Sequence, residues 1–598
     1  MKRLFIVQPR RLLPGLLFTA VFILYAVTAA PSIYPRDSAE LVVAAHTLGI
    51  AHPPGYPLYV LLGKLFELIV PWGSVAFQLN LFSAFTAAAA VTLVFLIIDT
   101  VTGSVGPALV AAITLATSRL FWFYSTIAEV LSLHALWLLL VIWLLLVWQQ
   151  HRTSGSTANG WLYLAALLFG LGFGNHHTIL LMLPAVLYVV WVTDRRILRS
   201  TTGLKALMLG LGGIAGVYSF VYLRSKADPF LDWGDPQTFS NLLAVFFRQE
   251  FGTFSLSKNF ANGLSVPNVI AHVQNYFASL SRQFFGWGIM LGLAGLVYFF
   301  KKRRTFGWLT ALSFAGFGPL IVLLTSGTII DENVQLVVEK FYLASFVIFS
   351  LWIGGGIWLL LEFFKRQVTG WRHGAMVATT LLLVLLPAYS LTVNWSFNDR
   401  HAYSLNHRFI QDILGSVEPN GIIITPNDSI VFGVWYFQQV LRQRLDVAVV
   451  PTIGNQTAIN QFRSRHGQLF TDPPTDNVVF NQRLFPVGFD RTPLNAFLRE
   501  IIQRNIERRP IYFPVGDPAM TDPLAGFIVP GGLVYRLTTQ YNDPDPALLN
   551  RAHAILKTYQ YLDDRTVSPQ NDFLTNEILA RYALATLLVD QQTKNLAD

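Results

Sequence analysis

Two carboxylates, Asp37 and Glu40, lie three residues apart in the segment PSIYPRDSAELVVAAHTLGIAHPPGYP, residues 31–57. Pro35 can begin a helix, because its missing N–H would have no partner in a first turn, and Gly49 with the prolines after it can end one. Both carboxylates would then share one face of the first turn, where the helix dipole favours negative charge. They can simply stabilise the helix start, or they can deprotonate a hydroxyl or bind a divalent cation. Apolar residues further along predict that the helix lies on a membrane surface.

Imidazole and amide groups cluster in a second segment, GLGFGNHHT, residues 170–178. Neighbouring residues of a helix point to different sides, so His176 and His177 are not expected to bind zinc as a pair. With Asn175 they can hydrogen-bond to adjacent helices, or donate to anionic oxygens of a substrate. His52, in the first segment, offers the same two alternatives.

The composition excludes an ordinary soluble protein. The 598 residues are 53% hydrophobic and 13% charged, whereas soluble chains are about 25% charged. The net charge of +9 comes in short basic clusters between apolar runs, which indicates membrane topology rather than nucleic-acid binding. The chain has no cysteine, so disulfides, thiolate metal sites and cysteine nucleophiles are excluded.

About eleven apolar runs approach the length of about 20 residues that a membrane-spanning helix needs. They lie at 12–30, 76–98, 104–118, 129–148, 161–174, 178–193, 204–223, 284–300, 307–325, 341–363 and 374–394. The run at 56–70 is too short and carries two charges, which favours an interfacial helix. The loops alternate between the two sides of the membrane, and basic residues concentrate in the short loops of one side. This bias predicts that those loops and the N-terminus are cytoplasmic. The expected location is the inner or plasma membrane.

Residues 396–598 have a different pattern and are predicted to form a soluble extracytoplasmic α/β domain with C-terminal helices, after a membrane domain over 1–395. Short apolar strands are predicted at 421–425, 447–451, 511–515 and 533–539, with a helix after the first. Asp428 would follow the first strand, where open α/β sheets bind ligands, or would cap that helix.

Six segments together resemble one family of membrane proteins. They are RDSAELVVAAHTLGIAHPPGYPLYVLLGKLF (36–66), VAFQLNLFSA (75–84), GLGFGNHHT (170–178), WGDPQTF (233–239), VEKFYL (338–343) and PNGIIITPNDS with the strand and helix after it (419–451). The chain resembles multi-pass proteins long known as a domain of unknown function, a family that includes a eukaryotic protein O-mannosyltransferase. The resemblance implies a GT-C-like α-helical membrane domain, an acidic pair in the first outer loop and a polyprenyl-phosphate sugar as donor.

The same resemblance implies roles for the acidic pair, while the other candidates follow from residue chemistry and position at the outer membrane boundary. Asp37 matches the general base, and Glu40 a second carboxylate that orients the acceptor or shares a divalent cation with Asp37. That cation is the one cofactor the sequence suggests, and none is certain. Residues expected to bind the donor phosphate or other parts of the substrate are Arg36, His52, Asn175, His176, His177, Arg224 and Lys340. The basic members of this set can instead anchor the chain at headgroup level. Candidate acceptor or sugar contacts are Trp233, Asp235 and Asp428.

The function expected from the sequence is an inverting membrane glycosyltransferase. It would transfer mannose or a similar sugar from a polyprenyl phosphate to a hydroxyl of a protein or glycan on the extracytoplasmic face, with no nucleic-acid partner. A multi-span transporter or lipid-linked sugar flippase is the alternative, and a non-catalytic scaffold is a third. Transporters usually show internal repeats or ionisable groups deep within their spans, whereas here the acidic residues concentrate in the predicted outer loops.

Overall fold

The computed structural model describes residues 9–155, 158–253, 265–327, 332–367, 372–452, 456–485, 492–542, 545–559 and 573–597. Helices joined by short loops make up the part before residue 399. These helices are α1 (Pro9–Val27), α2 (Asp37–Thr47), α3 (Pro57–Ile69), α4 (Val75–Thr102), α5 (Val105–Ala116), α6 (Arg119–Ser125), α7 (Val130–Thr153), α8 (Gly160–Gly172), α9 (Leu183–Asp194), α10 (Thr201–Ser225), α11 (Phe239–Phe246), α12 (Val266–Lys302), α13 (Arg304–Ala315), α14 (Ile321–Thr325), α15 (Glu332–Gln367) and α16 (Arg372–Asn398).

Seven helical segments of the described chain are long and apolar enough to cross a membrane, and the bent pair α5 and α6, at 67°, makes an eighth if it is one span. The seven are Val75–Thr102, Val130–Thr153, His177–Arg199, Thr201–Ser225, Val266–Lys302, Arg304–Thr325 and Val337–Phe364. The protein therefore has the helices of a multi-pass membrane protein. The count of about eleven spans stays a prediction, as does the orientation of the termini.

Three of these helices form the centre of the bundle. The most apolar windows of α4, α7 and α15 are 78%, 72% and 83% buried inside the protein, whereas that of α10 is 22% buried. Helices that are apolar all round and buried by protein are core helices, and an apolar helix left uncovered faces lipid.

The start of α4 has a local cause, since the Ser74 hydroxyl accepts a hydrogen bond from the Phe77 N–H at 3.1 Å.

Glycines let α15 lie very close to α12. A Cβ on Gly295 would stand 1.8 Å from the Trp352 carbonyl oxygen, and one on Gly356 would stand 2.0 Å from that of Leu291. No larger residue fits either position without moving a backbone, so these glycines set the distance between the two helices. This contact positions α15, the helix that carries Lys340.

The predicted helix of the first loop exists as α2, but its predicted place on the membrane surface is wrong. Residues 38–45 are all buried, because small and apolar side chains occupy every face of the helix and α18 covers its N-terminal part. The next helix, α3, agrees better with an interfacial position, since Leu61, Leu65 and Leu68 remain exposed on it.

The C-terminal part contains a five-stranded sheet with helices around it, in the order β2-β1-β3-β5-β4. Its elements are α17 (Leu405–Ser416), β1 (Ile422–Thr425), α18 (Asp428–Gln439), β2 (Ala448–Pro451), α19 (Gln456–Arg465), α20 (Val478–Leu484), α21 (Pro493–Asn505), β3 (Ile511–Pro514), α22 (Pro518–Thr521), β4 (Ile528–Pro530), β5 (Val534–Leu537), α23 (Pro546–Leu556) and α24 (Phe573–Ala597).

Strand β1 pairs in parallel with both β2 and β3, while β5 is antiparallel to β3 and β4. The four predicted strands and the helix after the first are confirmed. The three-residue β4 was not predicted, because so short a run carries no alternation to recognise. The division into domains at residue 396 stays a prediction.

Candidate active site

A cavity of about 520 Å³ lies where the helical bundle meets the C-terminal part. Its walls come from the loop before α2, the loop before α3, the start of α7, the junction after α8, helix α15 and the start of α18. The polar and aromatic residues that line it include Arg36, Asp37, His52, Tyr56, Glu129, His176, His177, Thr178, Trp233, Arg248, Phe251, Lys340, Phe341, Asn427, Asp428, Ser429, Phe432 and Glu577.

Asp37 is held at this cavity by the backbone on its N-terminal side. Arg36 has a left-handed φ of 66°, and its backbone N–H donates to the Ser429 hydroxyl at 2.9 Å. This hydrogen bond ties the start of α2 to the start of α18. Asp37 is the first residue of α2, so the helix dipole favours its negative charge.

Lys340 forms the ion pair of the site. Its Nζ donates to Asp37 Oδ2 at 2.7 Å and lies 3.8 Å from Glu129 Oε1. Burial by itself would raise the pKa of Asp37, but the charges of Lys340 and His52 outweigh it and hold that pKa well below its usual range. Asp37 is therefore ionised at neutral pH, as a proton acceptor must be. Its side chain remains 24% accessible, so a substrate can reach it.

Glu40 is completely buried and does not line the cavity. Its Oε1 accepts from the backbone N–H of His52 at 2.8 Å, and its Oε2 lies 2.5 Å from His52 Nδ1. The His52 Nε2 and the Tyr56 hydroxyl are 3.1 Å apart. Although burial opposes it, the Glu40 carboxylate raises the pKa of His52 well above its usual value. Glu40 thus holds His52 in place, and the ring of His52 faces the cavity.

Asp37, Glu40 and His52 together offer a set of cation ligands. One ligand atom from each lies within 4.8 Å of the others. Two carboxylates and an imidazole are ligands that divalent cations such as Zn²⁺ or Mn²⁺ accept. The sequence predicted only the two carboxylates for this role, because the turn that brings His52 back to α2 is a tertiary feature.

The two adjacent histidines both line the cavity, and the expectation that they do not bind zinc as a pair stays a prediction. His176 is extended, with φ −155° and ψ 123°, and His177 begins a short 3₁₀ turn, so the two residues do not belong to one regular helix and helical spacing does not set their directions. His176 Nδ1 lies 2.6 Å from the Thr178 hydroxyl, and His177 Nε2 lies 2.7 Å from the Tyr218 hydroxyl.

Besides Glu40, three predicted site residues are not in the cavity lining. Asn175 is buried, and its amide donates to the Val130 carbonyl at 3.1 Å, so it supports the start of α7. Arg224 donates to the backbone carbonyls of Leu48 and Thr47 at 2.8 and 3.1 Å, which satisfies the C-terminal end of α2. Asp235 accepts from Gln237 in its own loop. Position at a membrane boundary does not decide which way such a side chain turns.

Trp233 from the same loop does reach the cavity. Its indole N–H donates to Glu250 at 2.8 Å, and its ring centre lies 6.3 Å from that of His52. With Tyr56, Phe251 and Phe432 it gives one side of the cavity an aromatic surface, and flat apolar ring faces can pack against the C–H face of a sugar.

The structure adds Glu129, Arg248 and Glu577, which were not among the predicted site residues. Glu129 directly precedes the apolar helix α7, and Arg248 lies two residues after the end of the short apolar helix α11. A charged residue at the boundary of an apolar helix is the sequence feature that could have identified both. Glu577 lies on α24, in a stretch with no such signal.

Asp428 lies at the carboxyl end of β1, as predicted. The alternative that it caps α18 is wrong, because Asn427 is the cap and its Oδ1 accepts from the Ile430 N–H at 3.3 Å. Within the described chain, the Asp428 carboxylate has no hydrogen bond or ion pair. Partial desolvation by the surrounding protein, with the negative charges of Asp37 and Glu40, raises its pKa to about 7, although the side chain is exposed at the cavity wall.

The fold of the chain is shared with membrane proteins of known structure. The structure is similar to ArnT from Cupriavidus metallidurans bound to undecaprenyl phosphate, with a TM-score of 0.52 and 10% identity over 90% of this chain and 100% of that chain. The apo state of the same protein matches with a TM-score of 0.52 over 90% and 99% of the two chains. At this identity the likeness concerns the fold alone.

The sequence similarity is more specific. Residues 37–199 match the family described as Protein O-mannosyl-transferase TMEM260 N-terminal domain. The chain is 30% identical to Protein O-mannosyl-transferase TMEM260 of Mus musculus over 442 residues, covering 72% of this chain and 61% of that protein. It is 24% identical to the Dictyostelium discoideum protein of that name over 531 residues, covering 83% and 63%. The chain thus spans about three fifths of the length of these relatives, and the family resemblance drawn from the sequence is confirmed.

Proposed function

We propose that this chain is an inverting glycosyltransferase that moves mannose or a similar sugar from a polyprenyl phosphate to a hydroxyl of a protein or glycan on the extracytoplasmic face. The observation that carries the proposal is an accessible, ionised Asp37 that shares one enclosed cavity with Lys340, Arg36 and Arg248. The names of the relatives support the sugar and the acceptor, and the ArnT complex supports the lipid donor.

The cationic groups suit the phosphate of the donor. A phosphate that leaves carries growing negative charge, and preformed positive groups in a water-poor site stabilise it strongly. Lys340 and Arg248 line the cavity from the membrane part, and Arg36 lies beside Asp37. The aromatic surface around Trp233 is where the sugar ring can pack.

The reaction needs one proton acceptor and one stabilised leaving group. The acceptor hydroxyl gives its proton to Asp37 as its oxygen forms a bond to the anomeric carbon. The bond from that carbon to the phosphate oxygen breaks, and its electron pair leaves with the polyprenyl phosphate. A single displacement of this kind inverts the anomeric carbon.

Lys340 couples the two halves of this step. In the free site its ammonium pairs with Asp37, and this pairing lowers the affinity of Asp37 for a proton. As the phosphate gains charge it competes for Lys340, and Asp37 becomes a better base at that moment. A divalent cation held by Asp37, Glu40 and His52 would add positive charge next to the phosphate.

Transfer by the purified full-length protein tests the proposal. The protein in lipid nanodiscs is given a polyprenyl-phosphate mannose and acceptors bearing serine or mannosyl hydroxyls, and products are analysed by mass spectrometry and NMR. We expect a glycoside whose anomeric configuration is opposite to that of the donor. Retained configuration contradicts the mechanism, and a donor that is not consumed with any acceptor contradicts the function.

A further inference from the structure

The C-terminal part contributes one wall of the cavity. This wall lies beyond the carboxyl end of β1, next to the point where the strand order of the sheet reverses. The chain leaves β1 through α18 to β2 on one side, and the next strand, β3, adds to the other side of β1. Strand order therefore reverses between β1 and β3. In open α/β sheets, ligands bind beyond the carboxyl ends of the strands at such a reversal.

Polar side chains occupy this edge. Asn427 and Asp428 follow β1, and the Asn427 amide donates to Glu577 Oε1 at 3.3 Å. Arg581 donates to the same Glu577 oxygen at 3.1 Å and to Asp517, after β3, at 2.8 Å. The network fixes Glu577 at the cavity while leaving its side chain 34% accessible.

Asp428 differs from its acidic neighbours because no described residue forms an ion pair or hydrogen bond with its carboxylate, although His52 and Arg36 lie near enough to favour its ionised form. Glu577 has Arg581, and Asp37 has Lys340, whereas the Asp428 carboxylate lines the cavity without a hydrogen bond or ion pair to any described residue. Its side chain is exposed at the cavity wall, so a cationic ligand group can reach it, form a charge-assisted hydrogen bond with it and favour its ionised form.

Charge divides the cavity lining. Its described lysine and arginine side chains, on Arg36, Arg248 and Lys340, come from the membrane part, and the charged residues from the C-terminal part are both acidic. The anionic donor is therefore attracted to the membrane side, and the C-terminal wall remains for the acceptor. Two carboxylates can accept hydrogen bonds from the hydroxyls of a neutral glycan, but a polypeptide with lysine or arginine near its hydroxyl would gain charge attraction from both as well.

We propose that Asp428 and Glu577 form an acceptor subsite that selects a hydroxyl-bearing polypeptide segment with basic residues beside the modified serine or threonine, and disfavours acidic segments. This inference rests on the proposed function, and it gives the C-terminal part a direct task in substrate choice. Asp428 acts here as a specificity residue, and proton transfer remains with Asp37.

The test compares matched peptides on the full-length protein. Three peptides share one threonine in a neutral sequence and differ only in flanking lysine, glutamine or glutamate residues. We expect wild-type kcat/KM to be at least about fivefold higher for the lysine than for the glutamate peptide, which corresponds to one modest charge interaction. Screening predicts that added salt reduces this ratio.

Variants of Asp428 and Glu577 test whether these two residues cause the preference for the lysine peptide. Asp428→Asn and Glu577→Gln should each bring the ratio toward one while the KM for the donor stays unchanged, and Asp428→Lys should favour the glutamate peptide. Asp590→Asn is the matched control, because Asp590 is an exposed acid on α24 outside the cavity lining, and it should keep the wild-type ratio. Should one variant fail to fold, the other still tests the subsite.

The outcomes separate the inference from the proposed function. An unchanged ratio in both neutralised variants overturns the subsite, as does a wild-type protein with no preference among the peptides. Transfer to mannosides but to none of the peptides also overturns the subsite, while the proposed glycosyltransferase function is retained. Absence of donor consumption with every acceptor contradicts the proposed function itself, and the subsite with it.

Discussion

Replacing Asp37 by asparagine removes the proposed base while keeping the shape of the side chain. Loss of a general base typically costs about 10²- to 10⁴-fold in rate, so we expect kcat to fall by that factor at saturating donor and acceptor. The KM for the acceptor should change less, because an amide can still accept a hydrogen bond from the hydroxyl.

The stability cost of the same change follows from the surroundings of Lys340. Removing one partner of a buried ion pair typically costs about 3–5 kcal/mol. Here Lys340 keeps Glu129 at 3.8 Å, and both members of the pair are more than one-fifth accessible. We therefore expect about 1–2 kcal/mol, which leaves expression and detergent extraction unchanged.

The double variant Asp37→Asn/Lys340→Met separates catalysis from charge balance. It has no unpaired lysine, although Glu129 loses its neighbouring cation, so its thermal unfolding in detergent should return part of the way toward that of the wild type, while its transfer rate stays low. The assay is product formation by mass spectrometry on matched amounts of monodisperse protein. A kcat for Asp37→Asn within about tenfold of wild type, or recovery of activity in the double variant, would refute Asp37 as the base.

Three further predictions concern residues around the site. Arg224→Met should lower the free energy of unfolding by about 1.5–3 kcal/mol, because it removes charged hydrogen bonds to the end of α2. A raised KM for the donor would instead indicate that Arg224 binds the phosphate. Burial raises the pKa of Asp232 from 3.8 to about 7, so the folded protein holds a proton that the unfolded chain has lost, and stability falls as pH rises from about 4 to 7. Asp232→Asn should therefore melt at nearly the wild-type temperature near pH 4 and be more stable above pH 7, by up to about 4 kcal/mol; a pH-independent difference would contradict this. Because the chain has no cysteine, the variants Ser154→Cys and Asp590→Cys each introduce one thiol whose side of the membrane can be measured. A membrane-impermeant maleimide should label only Asp590→Cys in intact cells. Labelling of Ser154→Cys alone would reverse the proposed orientation.

Local patterns predicted much of the fold because they depend on neighbours in the chain. The bounds of α2 follow from proline and glycine positions, and β1 with α18 follows from an apolar run, a turn and a helical pattern. The surface position of α2 was predicted wrongly, because its composition permits burial equally well. Whether such a helix meets lipid or protein depends on α18, about 390 residues further along the chain.

Composition and spacing were enough to identify the class of molecule and the residues able to do chemistry: an apolar multi-pass chain without cysteine, an acidic pair, and imidazoles at element boundaries. Tertiary structure alone decided which of them meet. It paired Asp37 with Lys340 across 303 positions, placed Glu40 behind His52, and turned Arg224 away from the cavity. The reason is physical, since sequence spacing fixes direction only within one helix or strand, while side chains of different elements meet according to how those elements pack.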